Sequence, residues 1–175
     1  VLAVTDPGSG DLHLFHLEAR RHVIVERHQG TARRSPVGVA ADAAGRIYVA
    51  DSAGRSVLVF DDEGRERGRV EGLLRPTGVA VDRQRGVLYI ADTAAHRVQA
   101  RSVEGALLFS IGRRGTAPGE FNFPTHLFFD ERRGELVVCD TMNFRVQRLD
   151  RRGRPLGQLG RHGDTSGSLA NPKGV

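Results

Sequence analysis

Short apolar runs separated by charged, glycine-containing turns dominate this sequence. The stretch from Phe123 to Leu149 shows the pattern most clearly, since it reads FPTHLFFDERRGELVVCDTMNFRVQRL. Two of its runs, THLFFD and ELVVCD, end in aspartate, and a third run, RVQRL, follows the segment TMNF. Runs of this length bounded by turn residues are typical of short β-strands in an antiparallel meander.

The unit recurs along the chain with spacings of 40, 48 and 48 residues. Each copy opens on a proline, at Pro36, Pro76, Pro124 and Pro172. The first run of a copy ends in an aspartate and so does the second, at Asp42, Asp82 and Asp130 and then at Asp51, Asp92 and Asp140. Offsets kept over several copies indicate tandem structural repeats.

Four strand-like runs in each repeat predict the blades of a β-propeller. We assign complete blades to residues 36–75, 76–123 and 124–171, a partial blade without its first strand to residues 1–35, and the start of another blade to residues 172–175. The predicted fold is therefore all-β, a single propeller domain of four-stranded antiparallel blades in an incomplete ring. The first strand of each blade is the most apolar and is predicted to lie nearest the axis.

The amino-acid composition argues against some functional classes but does not identify the function. The chain has no apolar run long enough to span a membrane, so no membrane insertion is predicted. Its net charge is +5, but every basic residue except Lys173 is arginine, which indicates codon bias more than selection for phosphate binding. The single cysteine, Cys139, excludes an internal disulfide and is predicted to be a small buried residue.

The repeats resemble the NHL repeat. The segments RPTGVAVD, LYIADTAAHRVQA and GRRGTAPGEFNFP carry the resemblance, and so do FPTHLFFD, LVVCDTMNFRVQRL and GRHGDTSGSLANP. The resemblance implies a six-bladed propeller, of which this chain forms about four blades. It also implies that one face binds a protein or RNA ligand. The strand openings favour a bacterial, exported protein.

In such a propeller, the links into the first strands share one face with the loops between the second and third strands. We predict that binding residues on this face are His96, Arg97, Arg113, His126, Asn143, Phe144, Arg145 and Arg161. The same face is predicted to carry Arg33, Arg34, Arg55, Arg114 and His162. Clustered arginines beside an aromatic side chain predict a protein or peptide partner of acidic character.

An enzymatic alternative depends on His126, which replaces the glycine found at Gly38, Gly78 and Gly174. A histidine near the channel is able to bind zinc or act as a general base, and resemblance to amidating lyases and lactonases of the propeller kind would give it such a role. Zinc needs about three protein ligands, and no other strand opening supplies one. We therefore favour a channel-lining polar role and predict no metal, cofactor or catalytic residue.

The aspartates that end the second runs and the basic face each allow a second interpretation. The repeated aspartates are predicted to accept backbone N–H bonds in their own turns rather than hold Ca²⁺. They are Asp6, Asp51, Asp92 and Asp140. RNA recognition on the basic face is the less favoured alternative to protein binding, because single-stranded RNA requires several exposed aromatic platforms.

Overall fold

The chain folds into four antiparallel sheets, each built from strands that are consecutive in the sequence. The computed structural model describes residues 1–26, 35–161, 169 and 172. Within these residues one sheet has three strands and three sheets have four, and strand order follows chain order in each. We number the sheets blades 1 to 4 in the order of the chain.

The strands coincide with the apolar runs. Blade 1 consists of β1 (Leu2–Asp6), β2 (Asp11–His16) and β3 (Arg21–Val25). Blade 2 consists of β4 (Pro36–Ala41), β5 (Ile47–Asp51), β6 (Ser56–Phe60) and β7 (Glu66–Val70). Blade 3 consists of β8 (Pro76–Asp82), β9 (Val87–Asp92), β10 (Arg97–Ser102) and β11 (Leu107–Ile111). Blade 4 consists of β12 (Pro124–Asp130), β13 (Glu135–Asp140), β14 (Arg145–Asp150) and β15 (Pro155–Leu159).

These sheets confirm the prediction of an all-β fold made of four-stranded antiparallel blades in an incomplete ring. Helical structure among the described residues is limited to two 3₁₀ turns, Thr93–Ala95 and Thr141–Asn143. Within the same residues, no helix is long and apolar enough to cross a membrane.

The turns between third and fourth strands use aspartate and glycine for separate reasons. In blade 2, the Asp61 carboxylate accepts two backbone N–H bonds within the turn, at 3.0 and 2.8 Å. Gly64 follows with a φ of +79°, a conformation that glycine adopts without a steric penalty. Asp150 and Gly153 repeat the arrangement in blade 4. The turn is thus encoded locally in blades 2 and 4, and Ser102 with Gly105 takes this place in blade 3.

The apolar core lies between neighbouring blades. At the junction of blades 3 and 4, Tyr89 stacks on Phe129 with ring centroids 5.5 Å apart. Phe121, from the link between these blades, is fully buried in the same cluster. The hydroxyl of Tyr89 also donates a hydrogen bond to the Arg151 carbonyl of blade 4 at 2.9 Å. Each blade therefore depends on its neighbours for burial.

The first strands approach each other closely near the axis. Gly38 in β4 faces the Thr77 carbonyl of β8, and Gly78 in β8 faces the Thr125 carbonyl of β12. A Cβ at Gly38 would lie 2.5 Å from the Thr77 oxygen, and a Cβ at Gly78 would overlap the Thr125 oxygen more severely. Glycine is required at these two positions because the neighbouring strand lies so close, and not because the chain makes a turn there.

Blades 1 and 4 expose apolar side chains on faces that have no neighbouring sheet in the part of the chain described. They are Leu2, Val4 and Ile24 on blade 1, and Phe128 and Leu159 on blade 4. Each is between 42% and 67% exposed. Faces of this kind are covered by further repeats in repeat architectures.

We expect Gly78→Ala to lower the free energy of unfolding by about 2–3 kcal/mol, the upper range for overpacking, because the new methyl group meets a backbone carbonyl oxygen. Equilibrium urea unfolding measures the change. Gly68→Ala in β7 is the matched control, since a Cβ there meets nothing within 4 Å. Equal urea midpoints for the two variants would contradict the close approach of β8 and β12.

Candidate functional site

Three aspartates at the ends of second strands build the candidate face. Asp92, at the end of β9, accepts hydrogen bonds from the backbone N–H groups of Leu74 and Arg75 at 2.9 and 3.0 Å. Asp51 and Asp140 accept the same kind of bond, at 2.8 and 2.7 Å, from the links that enter blades 2 and 4. Asp51 also accepts the Gly54 N–H of its own turn at 3.0 Å, as predicted, but in the described chain Asp92 and Asp140 accept backbone N–H groups of the links and not of their own turns. These bonds place the links beside the loops that follow the second strands.

We call the surface formed by these links and loops the loop face. It comprises residues 52–55, 71–75, 93–96, 112–123, 141–144 and 160–161. Arg33, Arg34 and His162 were also predicted for this face but lie outside the described residues.

Arg145 is buried beneath the loop face and uses all its donors inside the protein. Its side chain is 7% exposed, and Nε donates to the Asp140 carboxylate at 2.8 Å. The other four N–H groups reach the Gln158 side chain and three carbonyls of the 112–123 link. A guanidinium has five donors, so none is left for a partner. Arg145 positions the link and does not belong to the exposed binding surface expected for it.

Arg97 and Asn143 are also engaged within the protein. Arg97 pairs with the buried Asp92 carboxylate at 3.2 Å. The Asn143 amide donates to the Gly115 carbonyl and to Asp140, both at 2.8 Å. Both side chains are half-buried, and their contacts support the loops.

His96 and Phe144 occupy equivalent positions after the 3₁₀ turns of blades 3 and 4, with φ of +53° and +54°. His96 Nδ1 accepts a hydrogen bond from the Phe123 backbone N–H at 3.2 Å, and the two rings meet edge to face at 4.4 Å. Burial lowers the pKa of His96, and the charges of Arg114 and Arg75 lower it further. The imidazole is therefore neutral at neutral pH. Phe144 is half-buried, which reduces the exposed aromatic area expected there.

Arginines that extend into solvent are the remaining feature of the loop face. Among the described residues they are Arg55, Arg75, Arg113, Arg114 and Arg161. Arg113 pairs with Glu120 at 2.9 Å. The other four have no acidic partner within the part of the chain that the structure describes.

Sequence reasoning missed two members of this face, Arg75 and Phe123. The Arg75 guanidinium carbon lies 5.7 Å from the centre of the Phe123 ring. Each residue directly precedes the proline that opens a blade. Phe123 has a left-handed φ of +54° and is not extended, but the repeated position before proline was itself a signal that could have found both residues.

His126 lies in β12, at the position of Gly38 and Gly78 in the preceding blades. Its ring is half-buried, its Nδ1 is buried without a described hydrogen-bond partner, and burial lowers its pKa. No group of three or more His, Cys, Asp or Glu side chains among the described residues is placed to hold a metal ion. His126 is therefore an inner-strand residue, and no set of metal ligands surrounds it among the described residues.

The opposite face carries arginines too, but many of them are paired. Arg46 contacts the Asp42 carboxylate at 2.6 Å, and Arg151 contacts the Asp82 carboxylate at 2.9 Å. Its turns are also rich in aspartate and glutamate. The two faces thus differ in how far their positive charge is neutralised.

We expect Arg145→Met to lower the free energy of unfolding by about 3–5 kcal/mol, because it leaves the buried Asp140 carboxylate without its charged partner. In a domain of this size that corresponds to a fall in Tm of about 6–20 °C. Arg161→Met is the control, since Arg161 is exposed and unpaired among described residues. A melting temperature for Arg145→Met equal to that of the control would refute the positioning role.

Cys139 gives a prediction about pH. It is fully buried in β13, and burial raises the pKa of its thiol to about 11. Because the thiolate is the reactive form, the folded protein should react very slowly with Ellman's reagent at pH 8 and faster as the pH approaches 11. Unfolding in urea should restore a normal rate. Rapid reaction of the folded protein at pH 8 would contradict the burial.

Known proteins share this architecture. Residues 34–60 and 73–100 match the NHL repeat family. No curated protein matches the sequence. Among solved structures, the chain is similar to a catalytically inactive virginiamycin B lyase from Staphylococcus aureus with quinupristin, with a TM-score of 0.73 and 14% identity over 98% of this chain and 54% of the other.

Two further similar structures are protein assemblies. A chain of a nidogen/laminin complex has a TM-score of 0.66 and 18% identity over 87% of this chain and 63% of its own. A chain of a mitotic checkpoint complex has a TM-score of 0.69 and 12% identity over 89% of this chain and 45% of its own. Identities this low establish the fold alone, and the present chain spans about half the length of the structures it matches. With four blades in sequence order, this chain is a β-propeller, and two of its segments, residues 34–60 and 73–100, match the NHL repeat.

Proposed function

We propose that this propeller is a non-enzymatic scaffold whose loop face binds an acidic segment of a protein or peptide. The observation that carries the proposal is the set of exposed arginines that have no acidic partner among the described residues. They are Arg55, Arg75, Arg114 and Arg161. Free guanidinium groups form bidentate, charge-assisted hydrogen bonds with carboxylates, which give both affinity and orientation.

The way the loops are held supports a recognition role. The buried side chains of Asp140 and Arg145 fix the 112–123 link through hydrogen bonds, and Asp92 fixes the preceding link. Arginines carried on such pinned loops lose less freedom on binding than arginines on a free loop would. The similar chains in the nidogen/laminin and mitotic checkpoint assemblies are compatible with protein binding, although those partners belong to those proteins.

We also propose that the described blades form one domain and are part of a larger ring. Support comes from the apolar side chains that blades 1 and 4 leave exposed, such as Ile24 and Phe128, each about half exposed. Further repeats packed on these faces would bury them as the junctions between blades 2, 3 and 4 bury theirs.

An enzymatic function is the second candidate, and one observation favours it. His126 Nδ1 is buried without a described partner on the inner strand of blade 4, and a neutral imidazole nitrogen is able to accept a proton or bind a metal. Several similar structures are lyases. Turnover that disappears in His126→Ala, in a folded protein, would favour this candidate over the scaffold.

The scaffold proposal is tested with two short fluorescent peptides. In the acidic probe, Asp and Glu alternate with Leu and Phe, and in the amide probe Asn and Gln replace the acids. Fluorescence anisotropy measures Kd at physiological salt. We expect Arg114→Glu combined with Arg161→Glu to weaken binding of the acidic probe at least about tenfold, equivalent to about 1.4 kcal/mol.

The matched control is Arg132→Glu combined with Arg152→Glu, which makes the same charge change at exposed arginines in turns of the opposite face. We expect this control to change Kd less than about threefold, since distant charges act mainly on association rates. Equal weakening by both double variants, or equal binding of the acidic and amide probes by the unaltered protein, would refute the proposal.

A further inference from the structure

Arg75, Phe123 and His96 form one unit at the junction of blades 3 and 4. Arg75 leads into blade 3, His96 lies within blade 3, and Phe123 leads into blade 4, so the unit exists only when the two blades are packed together. The Arg75 guanidinium lies 5.7 Å from the ring centre of Phe123, within cation–π range, and His96 meets the same ring edge to face at 4.4 Å.

The hydrogen bond to Phe123 determines which His96 nitrogen carries the proton. Nδ1 accepts the Phe123 backbone N–H at 3.2 Å, so in the neutral ring the proton is on Nε2. Burial and the nearby arginine charges lower the pKa of His96 and so favour this neutral form. A backbone hydrogen bond with Phe121 acts in the opposite direction and raises the pKa of His96, so the imidazole also contacts Phe121 of the 112–123 link. The imidazole thus holds this link in place beside the Arg75 guanidinium.

A second unpaired arginine completes the charge of the site. Arg114 is exposed, and its backbone pairs with that of Phe121, two residues before Phe123. Its charge is one of those that lower the pKa of His96. Neither Arg75 nor Arg114 has an acidic partner in the described chain. Arg113, by contrast, is already paired with Glu120. An anion at this junction would therefore meet two free guanidinium groups.

Exposed apolar side chains flank the site. Leu74, directly before Arg75, is 48% exposed. Met142 is 47% exposed, and its backbone N–H donates to the Asn122 carbonyl at 3.0 Å, next to Phe123. Large apolar side chains this exposed, next to unpaired arginines, suit a ligand that presents apolar groups on either side of its charge.

We propose that Arg75, His96, Phe123 and Arg114, hereafter the junction site, bind a carboxylate of an acidic peptide segment whose neighbouring side chains are bulky and apolar. The inference rests on the proposed function and specifies where on the loop face the main contact lies. The guanidinium groups pair with the carboxylate, and His96 holds the Phe123 backbone and ring beside them. Leu74 and Met142 cover the apolar neighbours.

A peptide is favoured over RNA at the junction site because of how Phe123 is used. Sequence-tolerant RNA binding requires open aromatic faces on which bases stack. One face of the Phe123 ring is already covered by the Arg75 guanidinium, and Phe123 is itself half-buried. The site has charge and apolar flanks but no free stacking platform.

The test compares Arg75→Gln with Arg55→Gln, using the acidic and amide probes. Both arginines are exposed on the loop face without an acidic partner among described residues, and both substitutions remove one positive charge. Only Arg75 contacts an aromatic ring in the junction site. We expect Arg75→Gln to raise the Kd of the acidic probe at least about tenfold and Arg55→Gln to raise it less than about threefold, with thermal melts unchanged for both.

The possible failures are distinct. If the unaltered protein binds the acidic and amide probes equally, the proposed function itself fails. If it prefers the acidic probe but both variants weaken it equally, the scaffold proposal stands and the junction site is overturned. If a single-stranded RNA oligonucleotide binds more tightly than the acidic probe and loses its affinity in Arg75→Gln, the site is one for RNA and the peptide assignment is overturned.

Discussion

A buried carboxylate at the end of the second strand in blades 2, 3 and 4 holds the candidate face in place. Asp140 is fully buried and accepts hydrogen bonds from the Asn122 backbone and from the Asn143, Arg145 and Gln147 side chains. A buried charge is strongly unfavourable unless it is paired and hydrogen-bonded. The folded blade must therefore keep its loop and its link in this arrangement. Arg145 extends the constraint by binding three carbonyls of the link.

The blades also have to pack closely near the axis. This packing determines where a site between two blades is able to form. Glycine in the first strands lets β4, β8 and β12 approach each other, and a Cβ at Gly38 or Gly78 would collide with the neighbouring strand. That approach brings Arg75 and Phe123, from consecutive blades, within cation–π distance. The junction site is thus a consequence of blade spacing together with the residue before each proline.

Much of the fold could be predicted because the repeat encodes it locally. The turn aspartates, the glycines at positive φ and the apolar runs each recur at fixed offsets. A structure assigned to one repeat is therefore also expected for the next. The exposed surface could not be predicted in the same way. Arg145 and Arg161 look alike in the sequence, yet one has every donor engaged and the other is exposed. Whether an arginine is free depends on carbonyls and carboxylates brought in from distant positions, which local patterns do not reveal.

Together these constraints produce a rigid frame. Its loop face carries unpaired arginines, whereas many arginines of the opposite face are paired with acidic side chains. Hydrogen exchange followed by mass spectrometry, with and without the acidic probe, tests this description most directly, because it locates the contact without altering any residue. We expect slower exchange of the backbone amide hydrogens in segments 71–77, 93–97 and 112–124 when the probe is bound. Protection confined to the opposite turns, such as 102–106 and 150–154, would contradict it.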